Sequence, residues 1–307
     1  MDAIRSRTGV EAEVMDLHFQ GKPGLIASYL IRHDHGAMII ESGPGSTVGG
    51  LELELGKRGL TLDDVTHVLI SHIHLDHAGA AGHLASHGAQ IYVHPNGAAH
   101  LAEPDKLLQS AARIYGEENM DPLWGQFIPV PESQITPLAD GDEVVIGGIG
   151  VVALDTPGHA EHHLCYLLDD ICFTGDVGGV RMQSSPAVIP PMPPPEFSPE
   201  RWLASLRYIE DQKPEYLAPT HFGIFLDPAE HIDELRQGIE AAEKWADDQL
   251  GRTDSVEDMQ TCYSQWLYGW ARERGLDERD WPRHELINPA WMAALGLRRY
   301  WKKKFGK

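Results

Sequence analysis

Short apolar runs alternate with turn residues over the first two-thirds of the chain. The runs at 28–31, 37–40, 65–71, 90–94, 143–146, 151–155, 163–168, 171–174 and 214–218 are β-branched or apolar. Gly, Asp and Pro bound them, and this pattern predicts strands. Asp169 and Asp170 fall between two such runs and predict a tight hairpin turn. Helices are predicted after Ser46, after Asp76 and over 200–212. The whole reads as an α/β sandwich with mixed sheets and helices outside. Residues 95–135 interrupt it with one helix-like piece, 105–115, and an aromatic tip at Trp124 and Phe127. An excursion of that length is either a functional cover or a flexible loop. A second irregular stretch, 178–199, contains Pro190-Pro191-Met192-Pro193-Pro194-Pro195. It reads as a stiff connector, or as a rigid wall beside a site, because it closely follows Asp176.

The period changes after Asp227. This residue suits an N-cap and Pro228 a first helical position. Ile232, Leu235, Ile239, Ala242, Ala246 and Leu250 then recur at helical spacing. Val256, Met259, Tyr263, Trp266, Leu267 and Trp270 do so again, and 289–301 predicts a further helix. The expected division is therefore a catalytic α/β domain over 1–228 and a helical extension over 229–307. Trp266 and Trp270 are expected in the core. The tail RRYWKKKFGK holds six basic residues. It is expected as a solvated end or a salt-bridge partner of an acidic body.

Composition narrows the classes. The chain has 307 residues, 42% hydrophobic and 23% charged, which suits one large globular domain or a domain with an appendage. The longest uncharged apolar run, 144–154, is far short of the ~20 residues of a membrane span. No membrane association is expected. The start, MDAIRSRTGVEAEVMD, shows no apolar h-region. Cys165, Cys172 and Cys262 form no CxxC. Both features lead to the expectation of a reducing, cytoplasmic setting. The net charge of −21 repels phosphate backbones, so nucleic acid is not an expected partner.

The chemistry concentrates in Ser71-His72-Ile73-His74-Leu75-Asp76-His77-Ala78-Gly79. Imidazole and carboxylate suit zinc and other borderline divalent ions. In an extended segment His72, His74 and Asp76 face one way, and a turn at Asp76 swings His77 to another side. One segment can thus serve two adjacent metal positions. His159, Asp176 and His221 each follow a predicted strand and fall on what should be the same sheet edge.

This set resembles the metallo-β-lactamase superfamily, whose signature is HxHxDH followed by separate His, Asp and His motifs. The resemblance runs over residues 18–225. TPGH, TGD and the helical C-terminus make it most similar to the glyoxalase-II-like hydrolases. The resemblance implies a four-layer αββα fold with a dinuclear site at one sheet edge. His72, His74 and His159 would hold one ion, Asp76, His77 and His221 the other, and Asp176 would bridge them. The implied cofactor is two divalent ions, zinc first, with iron or manganese as alternatives. The implied activity is hydrolysis of a small ester, thioester or lactone by a metal-bridging hydroxide. Asp76 would act as the catalytic carboxylate that orients it and passes a proton. Asp176 argues against antibiotic hydrolysis. One alternative is a mononuclear iron persulfide dioxygenase using His72, His159 and Asp176. A phosphodiesterase or nuclease is a lesser one.

The resemblance also has a departure. The family's supporting aspartate is replaced in Ile40-Glu41-Ser42-Gly43-Pro44-Gly45, so Glu41 must reach one methylene further or the support differs. His162 and His163 are candidate supports beside His159. Phe222 is expected as a pocket wall and Arg181 as a binder of a substrate carboxylate. The partner is expected to be a small molecule, and the aromatic C-terminal helices suit a homodimer.

Overall fold

The computed structural model describes residues 1–183, 185–250 and 255–306. The first sheet runs in order through β1 (Ala3–Arg5), β2 (Glu11–Asp16), β3 (Ala27–His33), β4 (Gly36–Ile40), β5 (Val65–Leu69), β6 (Gln90–Val93) and β7 (Ile135–Pro137). The second contains β8 (Glu143–Ile146), β9 (Ile149–Asp155), β10 (Leu164–Leu168), β11 (Ile171–Phe173) and β12 (Tyr216–Ala218). Its order is β12-β11-β10-β9-β8.

Period-two alternation decides which residues meet between the sheets. Tyr29, Ile31, Met38 and Ile40 face Ala153, Leu164, Tyr166 and Phe173 in one buried cluster. Their neighbours Leu30, Ile39, Val68, Cys165 and Cys172 point outward into a second cluster. Helices cover those outer faces. On the first sheet lie α1 (Val48–Lys57), α2 (Leu75–Ala78) and α3 (Ala81–Ser86), with Leu51, Leu55 and Leu84 buried. The expected αββα sandwich is therefore present.

The excursion holds three helices, α4 (Pro95–Ala102), α5 (Asp105–Tyr115) and α6 (Glu117–Trp124). Only α5 was expected. Gly97 in α4 and Pro122 inside α6 break the apolar period that would have revealed them. On the second sheet lies α7 (Pro199–Asp211), which buries Trp202, Leu206 and Ile209. The C-terminal region forms α8 (Pro228–Gln249), α9 (Val256–Glu273), α10 (Trp281–Ile287) and α11 (Ala290–Phe305). Trp270 is buried, and Lys304 pairs with Glu243 at 2.7 Å, as the charge pattern leads one to expect. No helix among the described residues is long and apolar enough to cross a membrane.

Hydrogen bonds across the two sheets lock one edge of the sandwich. The Tyr166 hydroxyl donates to the Ile70 carbonyl at 2.8 Å, and that of Tyr29 to the Pro219 carbonyl at 2.6 Å. Backbone bonds from Leu164 to Ser71 (2.8 Å) and from Ala27 to Thr220 (2.9 Å) join the same loops. The hairpin at Asp169-Asp170 turns at the far end of β10, with Leu168 opposite Ile171.

The C-terminal helices press on the proline stretch. A Cβ added to Gly296 in α11 would sit 2.0 Å from the Met192 carbonyl, a backbone atom that cannot step aside. Gly296→Ala should lower stability by about 1–3 kcal/mol through overpacking. Gly269, in α9, has nothing within 4 Å of such an atom. Gly269→Ala should raise stability by about 0.5–1 kcal/mol from helix propensity alone. Denaturant midpoints of both variants test the pair; equal shifts would rule out the contact.

Candidate metal centre

All the motif residues follow strands that end at the locked edge. His72, His74, Asp76 and His77 follow β5, while His159, Asp176 and His221 follow β9, β11 and β12. Antiparallel β10 lies between β9 and β11, and β12 runs parallel to β11, so those three strands end on the same side. The structure gathers the seven residues into two donor groups. One is His72, His74, His159 and Asp176; the other is Asp76, His77 and His221.

In the first group the His74 Nδ1 lies 2.8 Å from His72 Nε2 and 3.0 Å from His159 Nε2. The Asp176 Oδ2 is 3.3 Å from His159 Nε2. The other oxygen of that carboxylate, Oδ1, faces the second group, 3.2 Å from His77 Nε2 and 3.3 Å from His221 Nε2. Asp76 Oδ2 lies 3.4 Å from His221 Nε2 and 3.5 Å from His77 Nε2. Yet His77 Nε2, His221 Nε2 and Asp176 Oδ1 are buried without a hydrogen-bond partner. They approach one another within ion-pair distance but are not aligned as donor and acceptor. Ring nitrogens and a carboxylate oxygen that converge on a shared point in this way suit a divalent cation, which would displace any protons they carry.

The far side of each ring fixes its orientation. Nδ1 of His159 donates to the Pro191 carbonyl at 2.9 Å, and that of His221 to the Leu25 carbonyl at 2.8 Å. A carbonyl only accepts, so each Nδ1 carries hydrogen and each Nε2 is turned toward the centre. Nδ1 of His77 lies 3.1 Å from Glu41 Oε1, which also accepts from the Thr220 hydroxyl at 3.0 Å. The Ser71 amide lies 3.3 Å from Glu41 Oε2. Glu41 therefore makes the extra reach and ties two ligand loops together, the one after β5 and the one after β12.

The two neighbouring histidines behave differently. His163 Nε2 accepts from the amides of Asp176 (3.2 Å) and Val177 (3.4 Å), and its Nδ1 meets the Thr156 hydroxyl at 3.0 Å. It positions the Asp176 turn. His162 instead lines the cavity above the centre.

Charge divides the two groups. Burial first, then neighbouring imidazoles, hold His72 and His74 well below the usual histidine range. Burial likewise lowers His159 against the pull of Asp176. In the second group burial also opposes charge, but the carboxylates outweigh it. His221 is pushed up to about 9 by Asp176 and Asp76, and His77 rises well above its usual range. Burial opposes the ionisation of Asp176 too, yet His77, His159 and His221 hold it well below the usual carboxylate range.

The centre floors a cavity of about 240 Å³. The excursion contributes Leu107, Ala111, Tyr115 and Trp124 to its walls. Pro191–Pro195 forms another side, as the wall reading of that stretch expects, and Ile287, Pro289 and Met292 close it.

Two expected substrate contacts are corrected. Arg181 does not line this cavity. Its guanidinium makes two 2.8 Å bonds to the Asp227 carboxylate and lies over the Phe225 ring. That pairing also diverts Asp227, which stands at the N-cap position of α8 but makes no side-chain cap bond. The Arg181 amide donates to the His221 carbonyl at 2.6 Å, so the residue braces a ligand loop. Phe222 turns away from the cavity into the core between the sheets.

The sequence model described as "Metallo-beta-lactamase superfamily" matches residues 21–221, which include all seven clustered residues. The chain belongs to this superfamily. It is similar to the metallo-beta-lactamase fold-containing protein ST1585 of Sulfurisphaera tokodaii, at 24% identity over 72% of this chain and 81% of that protein. The uncharacterized protein YobT of Bacillus subtilis is 26% identical over 70% of this chain and 90% of its own length. Among solved structures, the metallo-beta-lactamase family protein TTHA1429 from Thermus thermophilus superposes with a TM-score of 0.70 at 20% identity. That match covers 96% of this chain and 94% of the other. It supports the fold, C-terminal helices included.

Two outcomes follow from the charge division. Metal binding needs the lone pairs that protons occupy on His77 and His221 at pH 7, whereas His72, His74 and His159 are already neutral. Calorimetry of metal-stripped protein with zinc at pH 7, in buffers of different ionisation enthalpy, should show one ion bound with little proton exchange. A second should bind with release of about two protons. Affinity for the second should fall as pH drops from 9 toward 6. Binding of both ions without proton release would contradict the assignment. Removing the brace on His77 with Glu41→Gln should weaken metal affinity by about 10–100-fold in chelator competition.

Proposed function

We propose that the chain is a dinuclear metal-dependent hydrolase of a small ester, thioester or lactone. The observation that carries this reading is the Asp176 carboxylate, whose two oxygens face two separate donor groups. Two divalent ions held there, zinc first among the candidates, supply Lewis acidity and an activated water when bound. His72, His74, His159 and Asp176 would hold one, and Asp76, His77, His221 and the other Asp176 oxygen the second.

The protein groups then have distinct tasks. Asp76 belongs to the second donor group and also borders the cavity, which supports a role for its carboxylate in accepting a proton and delivering it to a leaving group. Tyr115 lies in the same cavity, and burial together with Asp76 and Asp176 keeps its phenol protonated. It is a donor for a substrate oxygen. The apolar walls limit access of bulk water. TPGH and TGD favour the glyoxalase-II-like hydrolases within the superfamily.

A mononuclear iron dioxygenase would need only His72, His159 and Asp176. The buried, unpartnered Nε2 atoms of His77 and His221 and the Asp176 oxygen that faces them favour two ions over one. The net charge of −21 disfavours a nuclease.

Elemental mass spectrometry of protein purified without chelator should find about two divalent ions per chain. About one iron and an empty second group would overturn the hydrolase reading. Asp76→Asn should lower kcat on a turned-over ester by at least about 100-fold with little loss of thermal stability. Full turnover in that variant would remove Asp76 from the mechanism.

A further inference from the structure

The cavity changes character along its length, and the metal centre accounts only for one end. One face of α5 forms a continuous side, with Lys106, Leu107, Ser110, Ala111, Ile114 and Tyr115 all lining it. This is the i, i+4 spacing of a single helical stripe.

Tyr115 marks the inner end. Its hydroxyl meets Met292 Sδ at 3.7 Å, and the charges of Asp76 and Asp176 reach its phenol. Lys106 marks the outer end. It is exposed, and it is the sole Lys or Arg among the lining residues. Among the described residues no carboxylate pairs with it. The acidic group at the rim, Glu196, is engaged elsewhere: it accepts from the Glu161 amide at 2.9 Å and lies 3.6 Å from His162 Nε2. Tyr115 and Lys106 are nine positions apart on one helix, about 13 Å along its axis. The rest of the lining includes the apolar Met192, Pro193, Pro194, Pro289 and Met292.

We propose that the substrate is amphipathic and anionic, with Lys106 as its specificity-determining residue. The scissile group lies at the metal end, a medium-length apolar chain follows α5, and a carboxylate or comparable anion at the far end meets Lys106. The inner end of this arrangement rests on the hydrolase reading; the outer end stands on Lys106 and the cavity alone. Burial of the chain supplies affinity in proportion to apolar area. The lysine selects charge in a body that otherwise repels anions, since the chain carries −21.

The test is binding, not turnover. Calorimetry on the full chain as purified compares sebacate, a ten-carbon dicarboxylate, with decanoate, which has the same length and one charge fewer. Sebacate should bind about fivefold more tightly, the effect of one solvent-accessible ion pair. Lys106→Ala should erase the difference and Lys106→Glu invert it. Lys106 is exposed, so neither variant threatens the fold. A sebacate preference that survives in Lys106→Ala, no preference in the parent protein, or no binding of either ligand would overturn the inference. Ester turnover without a Lys106-dependent preference defeats this inference and leaves the hydrolase reading standing. The preference without turnover does the reverse.

Discussion

Buried carboxylates at one sheet edge are the constraint around which the rest is arranged. Asp176 is buried, and Asp76 lies beside it against two imidazoles. An ionised carboxylate withdrawn from water loses several kcal/mol of solvation unless positive charge and hydrogen bonds replace it. The protein supplies that replacement through His77 and His221, which take up protons, or through cations that displace those protons. The same electrostatic demand that draws protons to His77 and His221 suits the centre to a divalent ion. The first donor group lacks this demand, because three neutral imidazoles share one carboxylate oxygen.

Around these groups lies a layer of residues that hold the ligands without touching the reacting atoms. Glu41 joins the β4 end to His77, Thr220 and Ser71. His163 holds the Asp176 turn, and the Arg181 amide holds His221. Ring orientation at His159 and His221 is set by the Pro191 and Leu25 carbonyls. The proline stretch is thus both a cavity wall and a fixed hydrogen-bond acceptor for a ligand ring. Restriction of φ in consecutive prolines keeps that acceptor in place.

The centre was legible because imidazoles and carboxylates at that density serve few purposes other than metal binding, and because each later ligand directly follows a strand. The layout of the sheets was legible where short apolar runs stand between turn residues, as at 28–31 and 163–168. The opening strands β1 and β2 were missed. Glu11 and Glu13 interrupt the apolar run, which an edge region of a sheet tolerates. A single interaction explains two misreadings. Arg181 looked like a substrate binder and Asp227 like a helix cap, but each is occupied by the other, across a separation that no local pattern records. Phe222 shows that adjacency to a ligand in sequence does not place a side chain on the ligand's side of the sheet. Glu41 was readable as a departure from the family, but its reach required the geometry of three loops.

The contact between Gly296 and the Met192 carbonyl has a wider consequence. The candidate metal ligands all come from strand ends within the stretch matched by the superfamily model, 21–221. Part of the enclosure around them comes from 287–293, outside that stretch, and the same C-terminal helices lean on the proline wall at Gly296 and through the Arg299 bond to the Pro195 carbonyl. The candidate ligands and the helices that complete the cavity therefore lie on separate lengths of chain. A change in the last helices would reshape the cavity while the candidate ligands stay fixed.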